Sequence, residues 1–317
     1  MSTMSTMSTA ISISGLSKIY PRGWRSPAFE AVRNISLSVA EGEVFGFIGA
    51  NGAGKSTTIK VLTGVLRPTS GRAELFGMDV SQPAARRGLG YVPENPSLYD
   101  YLTPLELLTM GLAIHGVRPP NAREHCMQWL ERFDLARVAT KRIHSFSKGM
   151  TQRAALAHAM AIQPRLLILD EPLSGLDPVG RKDVVDILGE YRRSGGTIFL
   201  TSHVLHDVER LADRFGLIHR GELVAVQSPS DLLHDAQTVT VRSSGVTPLS
   251  GQVEETGGRW RMDTRRDQLW PLLDALRTAG HTILEIRPAL SLENVFFHYL
   301  ASRPDGASVR KVDGCET

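Results

Sequence analysis

The segment from Glu43 to Thr57 leaves this chain few folds to choose from. Glu43-Val-Phe-Gly-Phe-Ile48 is apolar almost throughout, the composition of a central strand. It runs directly into Gly49-Ala50-Asn51-Gly52-Ala53-Gly54-Lys55-Ser56-Thr57, and a helical stretch, Ser56 to Val65, follows. Strand, glycine turn and helix in that order bring backbone amides to a helix N-terminus, where the peptide dipoles are positive. The loop fits the pattern G-x-x-x-x-G-K-[ST] without a departure. In that pattern the glycines let amides turn inward around phosphate oxygens. Lys55 reaches the β- and γ-phosphates, and the Ser56 hydroxyl is a Mg²⁺ ligand.

A second segment supplies the acids such a site needs. Arg165-Leu-Leu-Ile-Leu-Asp-Glu171 is an apolar run that ends in two carboxylates. A buried strand avoids acids, so a pair at its C-terminal end implies a charged ligand at the sheet edge. Asp170 is expected to hold Mg²⁺, directly or through water. Glu171 is expected to polarise the attacking water as general base.

Around these two segments the pattern alternates. Strands are expected at Ile11 to Tyr20, Ile35 to Val39, Leu166 to Leu169 and Thr197 to Thr201. Helices are expected at Arg181 to Arg193 and His206 to Phe215, which favours a mostly parallel sheet flanked by helices. Between them, from about Asn95 to residue 150, the period becomes helical, with amphipathic stretches at Leu102 to His115 and Ala122 to Phe133. Past Pro229 the character changes again. Strands at Thr238 to Arg242, Arg259 to Met262 and Thr282 to Arg287, with helices at Arg265 to Ala279 and Leu292 to Leu300, describe a small α+β appendage. The expected organisation is a disordered leader over residues 1–10, a nucleotide-binding domain over 11–228, an accessory domain over 236–301 and a disordered tail over 302–317.

Composition sets limits on function. A net charge of +3 over 317 residues gives no basic surface suited to nucleic acid. The two cysteines, Cys126 and Cys315, lie far apart, which suits a reducing cytoplasm. No apolar run approaches the roughly 18 residues of a membrane-spanning helix, so any spanning part belongs to another chain.

Ser145-Phe-Ser-Lys-Gly-Met-Thr-Gln-Arg153, some twenty residues before the acidic pair, narrows the field. It resembles the signature sequence of ABC ATPases, with Ser147 and Gly149 at the serine and glycine that begin a helix. A serine there, with free amides behind it, is a ready anion site. The familiar Leu-Ser-Gly-Gly-Gln is altered at Phe146, Lys148 and Met150, in a form that looks like that of bacterial drug exporters. Further landmarks follow in family order. Ser174-Gly-Leu-Asp177 resembles the D-loop, and His203 resembles the switch histidine that contacts the γ-phosphate. Tyr20 lies where the family stacks an aromatic ring on adenine. In Tyr91-Val-Pro-Glu-Asn95, Glu94 stands in place of the usual Q-loop glutamine and remains a possible oxygen ligand for Mg²⁺.

The resemblance implies an α/β fold: a P-loop core with a mostly parallel sheet, an antiparallel β region, an inserted helical subdomain and the small C-terminal α+β domain. It also implies an ATPase that binds ATP and Mg²⁺ and pairs with a second cassette, most simply another copy. Ser147 and Gly149 would meet ATP held by that copy, and the loop ending in Asp177, also a nucleotide-binding residue, would bridge the two cassettes beside the catalytic carboxylate. A separate transmembrane permease would engage the helical block, with Leu98, Tyr99, Tyr101 and Leu102 as contacts or as internal packing. The chain would then work at the cytoplasmic face of the membrane. Glu94, the Ser-Lys-Gly-Met form and Ser291-Leu-Glu-Asn-Val-Phe296 are similar to type-2 exporter ATPases. A soluble ABC ATPase acting on nucleic acid or ribosomes is the rival reading. Such proteins carry tandem cassettes, long coiled coils or basic surfaces, none of which is visible here.

Overall fold

The computed structural model describes residues 8–21, 28–203, 208, 210–228, 238–255 and 257–288. The chain divides into two compact units, Met1–Ser228 and Pro229–Thr317.

The first unit opens with two long antiparallel strands, β1 (Thr9–Tyr20) and β2 (Phe29–Ala40). Along β2, Ile35, Leu37 and Val39 are buried and alternate with exposed Asn34, Ser36 and Ser38. This is the two-residue period of a strand with one wet face. The leader expected over residues 1–10 is shorter at its inner end, because Thr9 pairs with Ala40 and Ala10 is buried. Residues 1–7 lie outside the described set.

β3 (Val44–Ile48) is buried at every position and feeds through the glycine loop into α1 (Lys55–Leu62). Next come β4 (Ser70–Leu75), β5 (Met78–Asp79) and β6 (Leu89–Val92), none of which has a strong sequence signal. β4 and β5 complete an antiparallel sheet of order β2-β1-β4-β5.

The helical block holds α2 (Pro104–His115), α3 (Ala122–Arg132) and α4 (Lys148–Ala161). α2 begins in a capping box: the Thr103 hydroxyl accepts the Glu106 N–H, and the Glu106 carboxylate accepts the Thr103 N–H. Asn121 and Ser147 cap α3 and α4. The chain then alternates through β7 (Leu166–Asp170), α5 (Pro178–Arg193), β8 (Thr197–Ser202), β9 (Arg214–His219) and β10 (Glu222–Gln227).

The second sheet has the order β10-β9-β3-β8-β7-β6, parallel throughout except for β10. Its core is shared with the antiparallel sheet and α1. Phe45 and Phe199 stack at 5.8 Å between ring centroids. The helix expected to reach Phe215 stops sooner. Arg214 and Phe215 already belong to β9, paired with Phe45 and Gly46. The reason is tertiary: Asp213 accepts the Val44 N–H at 2.9 Å, and Phe215 to Ile218 enter the core beside β3. Residues 204–207 and 209 lie outside the described set. β3, β7 and β8 all end at one edge of the sheet, so the segments after Ile48, Asp170 and Ser202 meet there.

Among its described residues, the second unit is an antiparallel sheet with one α-helix. Its strands are β11 (Thr238–Ser244), β12 (Val253–Glu255), β13 (Arg259–Arg265) and β14 (Thr282–Pro288), in the order β12-β13-β11-β14. Its helix is α6 (Leu269–Thr278), which starts later than the Arg265 read from the sequence. Val241, Leu272 and Leu276 form its small core. The expected final helix Leu292 to Leu300, the segment Ser291 to Phe296 and the tail lie outside the described residues.

Candidate functional site

The glycine loop works by close backbone approach. Gly54 has φ +114°, and a Cβ there would sit 2.6 Å from the Ala31 carbonyl oxygen, so only glycine fits. α1 begins at the next residue, which puts its unpaired N-terminal amides at the mouth of a cleft of about 310 Å³. Ala50, Asn51, Gly52, Gly54, Lys55, Ser56 and Thr57 line one side of it. Glu94, Asp170 and Glu171 line the other, and Phe29 and Ala31 complete it. Gly49 and Ala53 lie behind the loop. The Gly49 carbonyl accepts the buried Lys55 ammonium at 2.6 Å, and Ala53 N–H donates to the Ala50 carbonyl at 3.1 Å.

The acids at the end of β7 are held with little freedom. Asp170 and Glu171 are buried, and Thr201, opposite Asp170 on β8, is buried with them. Thr201 Oγ1 donates to Asp170 Oδ1 at 2.6 Å and accepts the Glu171 N–H at 3.1 Å. Glu171 has φ +50°, a left-handed backbone that costs a non-glycine residue ~1–3 kcal/mol. Gln152, fully buried on α4, donates from Nε2 to the carbonyl of the next residue, Pro172, at 3.0 Å.

This turn aims the Glu171 carboxylate between two partners. Oε2 lies 2.7 Å from His203 Nδ1, and Oε1 lies 3.7 Å from Lys55 Nζ. An ionised carboxylate only accepts, so the contact is a hydrogen bond when His203 Nδ1 is the donor. Glu171 Oε1 is buried and has no hydrogen-bond partner among the described residues, although Lys55 supplies charge nearby. An acceptor left open in this way is costly unless it serves a function. Burial first, and the Asp170 charge second, push the neighbouring Tyr91 phenol above its ordinary value.

Four of the expected site residues lie elsewhere. Tyr20 is absent from the cleft lining. Its cross-strand partner Phe29 takes that position, while Tyr20 has the Lys18 ammonium 5.4 Å from its ring centroid. Ser147, Gly149 and Asp177 gather in a separate cluster. Ser147 Oγ caps α4 by accepting the Met150 N–H at 3.3 Å. A Cβ on Gly149 would stand 3.1 Å from the Gly175 carbonyl oxygen, so the start of α4 packs closely on the segment before α5. Asp177 caps α5 and lies 3.6 Å from Arg153.

A larger cleft of about 580 Å³ opens at the opposite ends of β7 and β8. Its charges are already matched, Arg132 with Glu190 and Arg165 with Glu41, and no phosphate-loop residue reaches it. Sequence reasoning missed Phe29, Gln152 and the hydroxyl role of Thr201. Thr201 had a faint signal, a hydroxyl at the end of the apolar run Ile198 to Leu200.

Known proteins resemble this chain in sequence and in fold. The family profile described as ABC transporter matches residues 32–174. An uncharacterized ABC transporter ATP-binding protein of Nostoc sp. is 34% identical over 302 residues, which cover 92% of this chain and 90% of that protein. The daunorubicin/doxorubicin resistance ATP-binding protein of Streptomyces peucetius is 34% identical over 324 residues, covering 95% and 96%. A solved structure of the ATP-binding subunit of an ABC transporter is 31% identical, with a TM-score of 0.65, and covers 72% of this chain and 93% of its own.

Proposed function

The chain belongs to the ABC transporter family as an ATP-binding, ATP-hydrolysing subunit, and from that premise we propose that two copies of it enclose two ATP molecules and drive a separate permease outward. One observation carries this reading. The phosphate loop and acids line one cleft, Ser147, Gly149 and Asp177 lie outside it at the starts of α4 and α5, and each group would be half of a nucleotide site. A second copy brings the missing half to each.

Within a site, the loop amides and Lys55 bind the β- and γ-phosphates. Ser56, Glu94 and Asp170 offer hard oxygen donors around one cleft, a set that suits Mg²⁺, and these residues would hold it. When bound, the ion neutralises charge on the phosphates. Glu171 takes the proton of the attacking water. His203 fixes one carboxylate oxygen of Glu171 through Nδ1, and in its doubly protonated form Nε2–H would donate to a γ-phosphate oxygen. Ser147 presents the amides of α4 to the nucleotide held by the other copy.

Phe29, rather than Tyr20, is the aromatic residue placed to stack on adenine. A base–aromatic stack contributes about 1–3 kcal/mol. Phe29→Ala is therefore expected to raise the Kd for ATP roughly tenfold. Tyr20→Ala should leave it nearly unchanged, and titration with a fluorescent ATP analogue measures both.

The permease contact falls on the helical block, where Tyr99 and Tyr101 are exposed with ring centroids 5.8 Å apart. No helix among the described residues is long and apolar enough to cross a membrane. In this reading the permease would hold the chain at the cytoplasmic face. Likeness to a drug-resistance ATP-binding protein, together with Glu94 and the Ser-Lys-Gly-Met form, supports export. Inverted membrane vesicles carrying the chain and its permease should retain the chain and accumulate cargo only with ATP. Vesicles that lack the permease should do neither, and retention without the permease would overturn the assignment.

A further inference from the structure

We propose that Thr201 is a positioning residue for hydrolysis, a single buried hydroxyl that sets both the metal-holding acid and the backbone of the general base. The inference rests on the roles given above to Asp170 and Glu171. β8 is otherwise apolar from Ile198 to Leu200, and an unpaired hydroxyl at the next position would be unfavourable there. This one both donates and accepts. A hydroxyl has one proton and two lone pairs. The proton goes to Asp170 Oδ1 at 2.6 Å, and a lone pair accepts the Glu171 N–H at 3.1 Å.

Two consequences follow from that sharing. Asp170 Oδ1 accepts this bond, which fixes the carboxylate's orientation and leaves Oδ2 the less engaged oxygen. Glu171 is pinned by its amide at the point where its backbone is left-handed. That turn is what places Oε2 at 2.7 Å from His203 and Oε1 at 3.7 Å from Lys55. Loss of the hydroxyl frees the Glu171 amide, lets φ relax and moves the carboxylate away from the water it must activate. The methyl of Thr201 has a separate task, filling space in the sheet core. The two functions can therefore be removed one at a time.

Thr201→Val keeps the volume and removes the hydroxyl; Thr201→Ser keeps the hydroxyl and removes the methyl. Val is expected to lower kcat by roughly 10- to 100-fold, the scale of a misplaced reacting group. Its Kd for ATP, measured without Mg²⁺, should stay within about twofold. Ser is expected to keep kcat within about threefold while melting at a lower temperature than the wild type without nucleotide. Full turnover in Val, or equal losses of kcat in Val and Ser, would overturn the proposal. If Val does not fold, Thr201→Ala and Thr201→Ser, which both lack the methyl, isolate the hydroxyl in the same way. Glu171→Gln assayed in the same preparation separates the two levels. If it is inactive and Val is fully active, only the role of Thr201 falls; if it is active, the assignment of Glu171 falls and this inference with it.

Discussion

Lys55→Ala abolishes tight ATP binding: the Kd for ATP rises by about 30-fold to more than 10³-fold, the equivalent of the ~2–5 kcal/mol lost when one partner of a buried charge pair is truncated. The ammonium is buried, braced by the Gly49 carbonyl, and set where the loop amides converge. Removal of the charge leaves the phosphates to be compensated by amides and the α1 dipole alone. It also leaves the Glu171 Oε1 charge, 3.7 Å away, without its nearest cation, so the variant should melt at a lower temperature even without nucleotide. Equilibrium titration with labelled ATP and a thermal melt read the two effects separately. Retained affinity would undo the phosphate-loop reading altogether.

Glu171→Gln is expected to do the opposite to the two halves of the cycle. Binding persists, because Gln has the same shape and its carbonyl oxygen can still accept from His203 Nδ1. Hydrolysis falls by ~10² or more, because an amide cannot take the proton of the attacking water. With ATP unconsumed, the closed pair of copies should accumulate, and size-exclusion chromatography with ATP should show a dimer that the wild type forms only transiently. Single-turnover assays give the rate. Unchanged turnover would remove Glu171 from its role, and a slow monomer with ATP bound would remove the paired arrangement.

Much of this site was legible beforehand, for a local reason. A phosphate loop is made by consecutive residues, so Gly49 to Ser56 carry their geometry in their own spacing. Asp170 and Glu171 are conspicuous because carboxylates are out of place at the end of an apolar strand. Tyr20 is a different case, since Phe29 and not Tyr20 lines the cleft. It lies in a strand paired with β2, and which of the two opposed aromatics meets the cleft depends on that pairing and on the approach of β2 to the glycine loop. No property of Tyr20 or Phe29 alone encodes it. The start of β9 was hidden in the same way. Residues His206 to Phe215 have a helical pattern, and the place where the chain leaves the helix is set by Asp213 and the edge of β3.

From the sequence alone came the strand–loop–helix unit, the acidic pair, the order of the motifs and so the family. These are short-range features, written in the period and identity of neighbouring residues. Only the tertiary structure decided that Phe29 reaches the cleft, that the Ser147 cluster stands apart from the phosphate loop, and that Thr201 and Gln152 hold the turn carrying Glu171. Those contacts join residues 20 to 31 positions apart or on different elements. They exist because sheet register and helix packing bring distant backbones together, and no local pattern records that.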